Sequence, residues 1–195
     1  AYALTRGIKG SNLFRTVFFM PNLIGGIVLG YIWSMIFDGI LSRYGTSILL
    51  NTKYGFWGLV ILVGWQQIGY MMIIYIAGLN AVPEDMLEAA KIDGADAWTT
   101  LWKITIPNVM PSITICTFLT LTNSFKLYDQ NLALTEGRPF KDAIHTTEML
   151  ALNIVNSNTI KTRGVGQAKA VLFFVLVVAI GVMQLLATRK KEVQQ

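Results

Sequence analysis

Charged side chains are scarce in this sequence. Asp, Glu, Lys and Arg make up 14% of its 195 residues and apolar residues make up 53%, whereas about a quarter of the residues of a soluble domain are charged. Each of four stretches without any charge reaches the roughly 20 residues that a helix needs to cross a bilayer. The composition therefore predicts a membrane protein with four spans, at 17–37, 56–79, 104–125 and 170–188.

Cysteine and histidine are almost absent. Cys116 is the only cysteine, so no disulfide can form within the chain, and its position in a predicted span indicates a small apolar filler. His145 is the only histidine and has no Cys, Asp or Glu pattern at metal-ligand spacing around it. We therefore expect no metal site in this chain.

The apolar stretches also lack the alternation of polar and apolar residues that is typical of membrane β-barrels. They are continuous instead, and a backbone exposed to lipid has to satisfy its own hydrogen bonds, as an α-helix does. The predicted fold class is all-α, a polytopic transmembrane helical bundle.

A nucleotide-binding loop is missing too. The glycine-containing segments 39–46 and 58–64 lack the Gly-Lys-Ser/Thr sequence that cradles phosphates, so any energy from ATP has to come from a partner. The net charge of +5 does not indicate nucleic-acid binding, because Lys and Arg lie at the ends of the spans. Basic residues at those positions orient a membrane protein.

The distribution of Lys and Arg predicts this orientation. Four spans place both termini on one side, and that side carries eight Lys and Arg in short segments. The opposite side carries seven, but five of them lie in the long 127–169 loop and weigh less. We expect both termini and the 80–103 insert in the cytoplasm and the 127–169 loop outside.

The insert between the second and third spans is rich in charge. Pro83 suits the first position of a helix, and the two acids that follow it complement the helix dipole. Gly94 can adopt the left-handed turn that ends a helix. We predict a helix, a sharp turn at Gly94, and a second helix that begins at Ala95 or Asp96 and runs towards Pro107.

Two interpretations of the insert follow from its residues. An amphipathic helix can rest on lipid headgroups, but such helices usually carry Lys and Arg on the polar face. Residues 84–96 contain five acids and one lysine, and an anionic leaflet repels such a helix. Docking to another protein is therefore the favoured interpretation, with Met86, Leu87 and Ile92 as apolar anchors.

The stretch "EAAKIDGADAWTTLWKITIPNVMP", residues 88–111, resembles the cytoplasmic motif of permeases from binding-protein-dependent ABC importers. That motif is usually written E-A-A, two residues, D-G-A and, after a longer gap, I-x-L-P and a further P. Leu101 stands where an aromatic residue is common and Ile106 where leucine is common, and both remain apolar. The residues that match at the expected spacing are Glu88, Ala89, Ala90, Asp93, Gly94, Ala95, Ile104, Pro107 and Pro111.

Other segments resemble the sugar-permease branch of that family, which includes maltose and glycerol-phosphate permeases. Residues 15–39 are similar to one of its spans, and residues 134–150 to its external loop, although Arg138 replaces the second glycine of T-x-G-G-P. The resemblance covers nearly the whole chain and implies a single permease domain over 1–195 with the fold of type I ABC importers. Members commonly have six or more spans, so we expect that N-terminal spans are missing from this sequence.

The resemblance implies a transport subunit without catalytic residues in a bacterial cytoplasmic membrane. Its coupling helix, about 83–98, would dock into a cytoplasmic ATPase that binds ATP and Mg²⁺, so the chain itself would need no cofactor. A second permease would share the translocation path, and an extracellular solute-binding protein would deliver the solute. The implied coupling residues are Glu88, Ala89, Ala90, Asp93, Gly94 and Ala95.

Polar side chains inside two predicted spans are candidates for that path, because unpaired polar groups are costly at such depth. Ser and Thr in membranes also commonly pack between helices, and packing is favoured for Thr117. An aromatic ring beside amide and hydroxyl groups suits a sugar, and the absence of charge in the spans favours a neutral solute. The candidate path residues are Gln66, Gln67, Tyr70, Thr120, Asn123 and Ser124.

Other functions remain as alternatives. An ion-coupled secondary transporter normally needs an acid or base inside a span, and none of the four stretches has one. A membrane scaffold without a transport path would leave the polar residues of the second and third spans unexplained. Among ABC importers, import of an amino acid or a metal is the nearest rival to import of a sugar.

Overall fold

The computed structural model describes residues 1–5, 7–138, 140–141, 144–145 and 147–189, which form ten α-helices and one antiparallel β-hairpin. Short 3-10 turns follow α2 and α3, and a π-helical turn, Leu101–Thr105, joins α6 to α7. In chain order the elements are α1 (Tyr2–Thr5), α2 (Ser11–Phe19), α3 (Gly26–Leu41), α4 (Thr52–Asn80), α5 (Glu84–Ile92), α6 (Ala97–Thr100), α7 (Ile106–Phe125), α8 (Asp129–Thr135), β1 (Phe140–Lys141), β2 (Ile144–His145), α9 (Leu150–Ser157) and α10 (Arg163–Arg189).

Within the part of the chain that the structure describes, three helices are each long and apolar enough to cross a membrane. They are Thr52–Asn80, Ala97–Phe125, which runs from α6 through α7, and Arg163–Thr188. The second, third and fourth charge-free stretches of the sequence lie inside them. The predicted all-α bundle is confirmed, and each of these helices extends beyond its apolar stretch by one or more turns.

The first predicted span is not one straight helix. The segments Ser11–Leu23 and Gly26–Tyr44 meet at 102°, so the stretch 17–37 is a bent pair of helices, which makes a fourth span if the pair is counted as one. Ile24 leaves the helical region with ψ 132°, directly after the 3-10 turn that contains Pro21. Uninterrupted apolar composition marks the stretch as membrane-embedded, but it does not show where the backbone turns.

The predicted external loop, 127–169, contains more structure than a loop. It includes α8, the β-hairpin, α9 and the first turns of α10, which begins at Arg163. Helix α8 packs closely on α3, since a Cβ atom added at Gly30 would lie 2.5 Å from the Ala133 Cβ. Leu134 of α8 is 1% exposed and joins Ile48, Leu59 and Leu62 in the apolar core.

Helices α4 and α7 pack antiparallel through small residues. A Cβ atom added at Gly78 would lie 2.1 Å from the Ser112 Oγ and 3.5 Å from Val109. One to two turns further along, the Cys116 Sγ lies 3.9 Å from the Met71 carbonyl oxygen. The contacts fix the register of the two helices that carry most of the candidate path residues.

Candidate functional site

The charged insert folds as the short helix α5. Pro83 precedes the helix with ψ 132°, and Glu84 and Asp85 occupy the first turn. Acidic groups at that position stabilise the positive N-terminal end of the helix dipole. The predicted helix is present, and Pro83 lies one position before its first residue.

Gly94 closes α5 with a Schellman turn. The Ala95 amide donates to the Ala90 carbonyl at 2.9 Å, and the Gly94 amide donates to the Lys91 carbonyl at 3.1 Å; these are the two hydrogen bonds of that motif. Gly94 has φ +77°, a conformation that L side chains adopt only with strain. The prediction of a sharp turn at Gly94 is confirmed.

The implied coupling residues differ in exposure. Ala90 is 6% exposed and Ala95 is half-buried, so both pack towards the body of the chain. The other four are exposed and available to a partner: Glu88, Ala89, Asp93 and Gly94. Ala90 therefore lies on the inner face of α5, where a small side chain lets the helix approach the chain behind it.

Apolar side chains also stand out on the surface of this insert. Ile92 is 86% exposed, and Met86 is 43% exposed. Exposed apolar groups among charged ones are typical of a protein contact surface, in which apolar anchors are surrounded by a polar rim. This surface is consistent with the interpretation of α5 as a docking element.

Asp96 caps the next helix, α6, which begins at Ala97, one residue after the later of the two predicted starts. Its Oδ1 accepts a hydrogen bond from the Thr99 amide at 3.0 Å, and the hydrogen bonds from Thr99 lower the pKa of the carboxyl group. A side-chain cap of this kind stabilises the first turn of a helix. The chain therefore leaves the Gly94 turn and resumes a helix within three residues.

The π-helical turn separates the surface insert from the long membrane helix. The Thr105 Oγ1 donates to the Thr100 carbonyl at 3.4 Å, and the Asn108 side-chain amide donates to the Ile104 carbonyl at 2.8 Å. Pro107 and Pro111 lack amide hydrogens, so the backbone ladder here has gaps. The two side chains add hydrogen bonds to other carbonyls of this segment.

A cavity of about 560 Å³ lies behind α5. Residues of α1, of the end of α4, and of α5 and α6 line it, among them Leu79, Leu87 and Ala97. A protein interior is normally packed with few voids larger than a water molecule. The packing behind α5 is therefore incomplete at this cavity, whereas Ala90, at 6% exposure, stays in close contact with the chain behind it.

Gln66 does not face a path. It is 7% exposed, its Nε2 donates to the Ile24 carbonyl at 3.4 Å, and its Oε1 accepts from the Gln130 Nε2 at 3.0 Å. The side chain thus satisfies a backbone group at the bend between α2 and α3 and links it to α8. The structure assigns Gln66 to helix packing, and the interpretation of Gln66 as a solute contact is not supported by this geometry.

Thr120 and Ser124 line a groove between α4 and α7. Its volume is about 360 Å³, and both residues are exposed in this chain. Thr117, for which the sequence favours packing, lines the same groove. The complete lining is Met71, Tyr75, Cys116, Thr117, Thr120, Leu121 and Ser124.

Gln67, Tyr70 and Asn123 lie outside this lining and are half-buried. The Gln67 Oε1 is buried and has no hydrogen-bond partner among the described residues. Gln67 lies one helical turn from Met71 on the same face of α4, and the antiparallel register places it level with Thr120. An unpaired amide oxygen at this height can accept a hydrogen bond from a solute or a neighbouring chain.

Comparison with known proteins identifies the family. The profile described as "Binding-protein-dependent transport system inner membrane component" matches residues 1–192. The chain belongs to this family. It is therefore the membrane component of a binding-protein-dependent transport system, and the alternatives of an ion-coupled transporter and a scaffold are not favoured.

Two relatives of the transport family match almost the whole chain. A probable starch degradation products transport system permease protein of Thermoanaerobacterium thermosulfurigenes is 44% identical over 100% of this chain and 68% of its own length. A multiple sugar-binding transport system permease protein of Streptococcus mutans is 30% identical over 99% of this chain and 69% of its own length.

A solved structure shares the fold. A chain of a bacterial ABC transporter involved in the import of the acidic polysaccharide alginate superposes with a TM-score of 0.79 at 17% identity. The match covers 96% of this chain and 69% of that chain. The expected ABC importer permease fold is confirmed.

The sequence does not single out three polar residues that the structure places in packing contacts or in the groove. Gln130 reaches Gln66, Asn131 is fully buried in α8, and Tyr75 lines the groove. Gln130 and Asn131 lie outside the charge-free stretches, so the sequence places them in a loop. The apolar residues Leu132 and Leu134 beside two amides are a signal that this segment is packed.

Proposed function

We propose that this chain is the permease subunit of an ATP-driven importer of neutral sugars or oligosaccharides. The observation that carries the proposal is a continuous connection: the helix that begins at Ala97, directly after exposed α5, runs through α7 and lines the groove with Thr120 and Ser124. A displacement of α5 by a partner would reach the groove through this one helix.

The exposed face of α5 is the proposed contact with a cytoplasmic ATPase. Glu88 and Asp93 supply charge, and Ile92 supplies an apolar anchor. The ATPase binds ATP and Mg²⁺, since this sequence has no Gly-Lys-Ser/Thr loop of its own. In this arrangement α5 and the C-terminus lie on the cytoplasmic side of a bacterial cytoplasmic membrane.

A second permease and an extracellular solute-binding protein complete the proposed assembly. Thr120 and Ser124 are exposed in this chain, and a polar groove inside a bilayer has to be shielded from lipid. The second permease covers this side of the groove. The solute-binding protein delivers the solute at the opposite end from α5, where α8, the β-hairpin and α9 lie.

The groove chemistry supports a neutral, hydroxyl-rich solute. All seven lining residues are uncharged, and three of them carry hydroxyl groups on α7. An anionic or cationic solute in an apolar surrounding requires a countercharge. The two relatives described above are named for starch degradation products and multiple sugars, which agrees with this chemistry.

The first test is a substitution at the Gly94 turn. In a complex reconstituted from this chain, its ATPase, the second permease and the binding protein, Gly94→Trp should abolish sugar uptake and the stimulation of ATP hydrolysis by the loaded binding protein. The left-handed backbone at residue 94 strains any L side chain, and a bulky ring there also obstructs the proposed contact.

Gly45→Trp is the matched control. Gly45 also has positive φ, +68°, and a Cβ atom added there would meet no atom within 4 Å, but it lies at the opposite end of α4 from α5. The control should insert into the membrane and retain coupled uptake. Normal uptake by Gly94→Trp, or equal loss in both variants, would overturn the docking role of α5.

A further inference from the structure

The groove between α4 and α7 has two chemically different walls. Met71 and Tyr75 of α4 form an apolar and aromatic wall, whereas α7 contributes hydroxyl groups from Thr117, Thr120 and Ser124. The volume of about 360 Å³ lies in the range of roughly 300–1,000 Å³ that is usual for small-molecule sites. The walls thus match a ligand with an apolar face and a polar edge.

The Tyr75 ring lies at the contact between α4 and α7. Tyr75 is half-buried and lines the groove beside Cys116, which is 2% exposed with its Sγ 3.9 Å from the Met71 carbonyl oxygen. A tyrosine side chain has only two rotatable bonds. Stacking of a ligand on the ring therefore costs little side-chain entropy.

Two hydroxyl groups of the α7 wall use their protons in hydrogen bonds within the helix. The Thr117 Oγ1 donates to the Ile113 carbonyl at 2.7 Å, and the Ser124 Oγ donates to the Thr120 carbonyl at 2.7 Å. Each hydroxyl has one proton and two lone pairs, so the lone pairs remain available. These lone pairs can accept hydrogen bonds from the O–H groups of a ligand.

We propose that Tyr75 is a specificity-determining residue, whose ring stacks on the apolar face of a neutral sugar ring while the hydroxyl oxygens of α7 accept hydrogen bonds from its edge. This inference rests on the proposed importer function. Tyr75 lies two helical turns from Gln67 towards α5, so it contacts the solute deeper than the residues singled out from the sequence.

The test compares Tyr75→Phe and Tyr75→Leu with Tyr54→Leu in the reconstituted importer. Tyr54 is a half-exposed tyrosine at the far end of α4. Uptake of maltooligosaccharides of several lengths and basal ATP hydrolysis are measured in parallel. Tyr75→Leu should raise the KM for uptake by roughly two- to tenfold, because the loss of one aromatic contact weakens binding by about that factor. Basal ATP hydrolysis should be unchanged.

Tyr75→Phe keeps the ring and loses only the hydroxyl group. We expect it to retain the wild-type KM, because the surface on which the sugar stacks is unchanged. Unchanged KM and unchanged length preference in Tyr75→Leu would overturn the role of Tyr75. Wild-type complex that imports no sugar at all would instead overturn the proposed function.

A labelling experiment covers the case in which the Tyr75 variants do not fold. Ser124 is exposed and lines the same groove, so alkylation of a Ser124→Cys variant by a small maleimide can be followed by peptide mass spectrometry in the complex held with an ATP analogue, with the buried Cys116 as the unreactive reference. Loaded binding protein should slow the alkylation relative to empty binding protein. Equal rates in the two conditions would contradict a sugar in this groove.

Discussion

At the residue scale, Asn131 connects three segments of the chain. Its Nδ2 donates to the Thr135 Oγ1 at 2.9 Å and to the Thr147 carbonyl at 2.8 Å, and its Oδ1 accepts from the Met149 amide at 2.8 Å. Asn131 and Thr135 are fully buried, and Thr147 is 1% exposed. One amide side chain therefore holds α8 to the segment that leads into α9.

Replacing Asn131 should destabilise this end of the molecule. Asn131→Leu leaves the Thr147 carbonyl and the Met149 amide buried without their partner, and each unpaired group costs about 1–3 kcal/mol. Thermal unfolding of the purified chain in detergent measures the loss. Asn156→Leu is the control because Asn156 is exposed; an equal loss in both variants would contradict the connecting role.

Residue-scale geometry also explains which path residues can be predicted. Gln66 and Gln67 are neighbours with the same side chain, and the sequence offers no reason to separate them. A helix turns by about 100° per residue, so Gln66 points to the bend and α8, whereas Gln67 lies on the face of Met71 and the groove. Only the position of α8 separates the two roles, and that position depends on long-range packing.

At the scale of elements, the segment between α6 and α7 combines a π-helical turn with two prolines. π-Helical turns and prolines both interrupt the regular hydrogen-bond ladder. Side chains of Thr105 and Asn108 bond to carbonyls there. We interpret the segment as a hinge through which a movement of α5 enters α7.

Restoring the ladder should stiffen this hinge. In Pro111→Ala the new amide can donate to the Pro107 carbonyl, which should raise the stability of the chain by up to about 3 kcal/mol and lower the amount of sugar imported per ATP hydrolysed. Thermal unfolding and coupled uptake assays measure the two effects. Ile115→Ala, at a half-exposed position of the same helix, should change neither by a similar amount; unchanged coupling in Pro111→Ala would exclude the hinge.

The elements differ in how far the sequence predicts them. Helix α5 is predictable because its start and end depend on neighbours in sequence, at Pro83 and Gly94. The bend after Leu23 is not predictable, because the Ile24 carbonyl bonds to the Gln66 side chain of α4, which in turn bonds to Gln130 of α8. Local capping can be inferred from residue types, whereas a broken membrane helix requires knowledge of what packs against it.

At the scale of the whole molecule, the groove lies between the antiparallel helices α4 and α7, and α5 lies at one end of this helix pair. Gln67 and Asn123 lie outside the groove lining, at the height of Thr120 and Ser124, which form the end of the lining away from α5. If the path is wider than the lining, these two amides are the next polar groups beside it. Their separation from α5 makes solute contact and ATPase docking separable by mutation.

We expect Gln67→Ala and Asn123→Ala each to raise the KM for uptake by roughly two- to tenfold, because the loss of one hydrogen bond to the solute weakens binding by about that factor. Co-purification of the ATPase with the tagged chain should stay intact, since α5 is unchanged. Thr16→Ala, an exposed polar position of α2, controls for general effects. Wild-type uptake kinetics in both amide variants would assign these residues to helix packing.

The contact between Gly78 and Ser112 has an evolutionary consequence. A Cβ atom at residue 78 would lie 2.1 Å from the Ser112 Oγ. A substitution at one of these two positions therefore requires a compensating substitution at the other. Of the groove lining, Tyr75, Thr120 and Ser124 take no part in that contact. A lineage of such permeases can therefore inherit one helix register and diversify the solute it carries by changing the side chains around it.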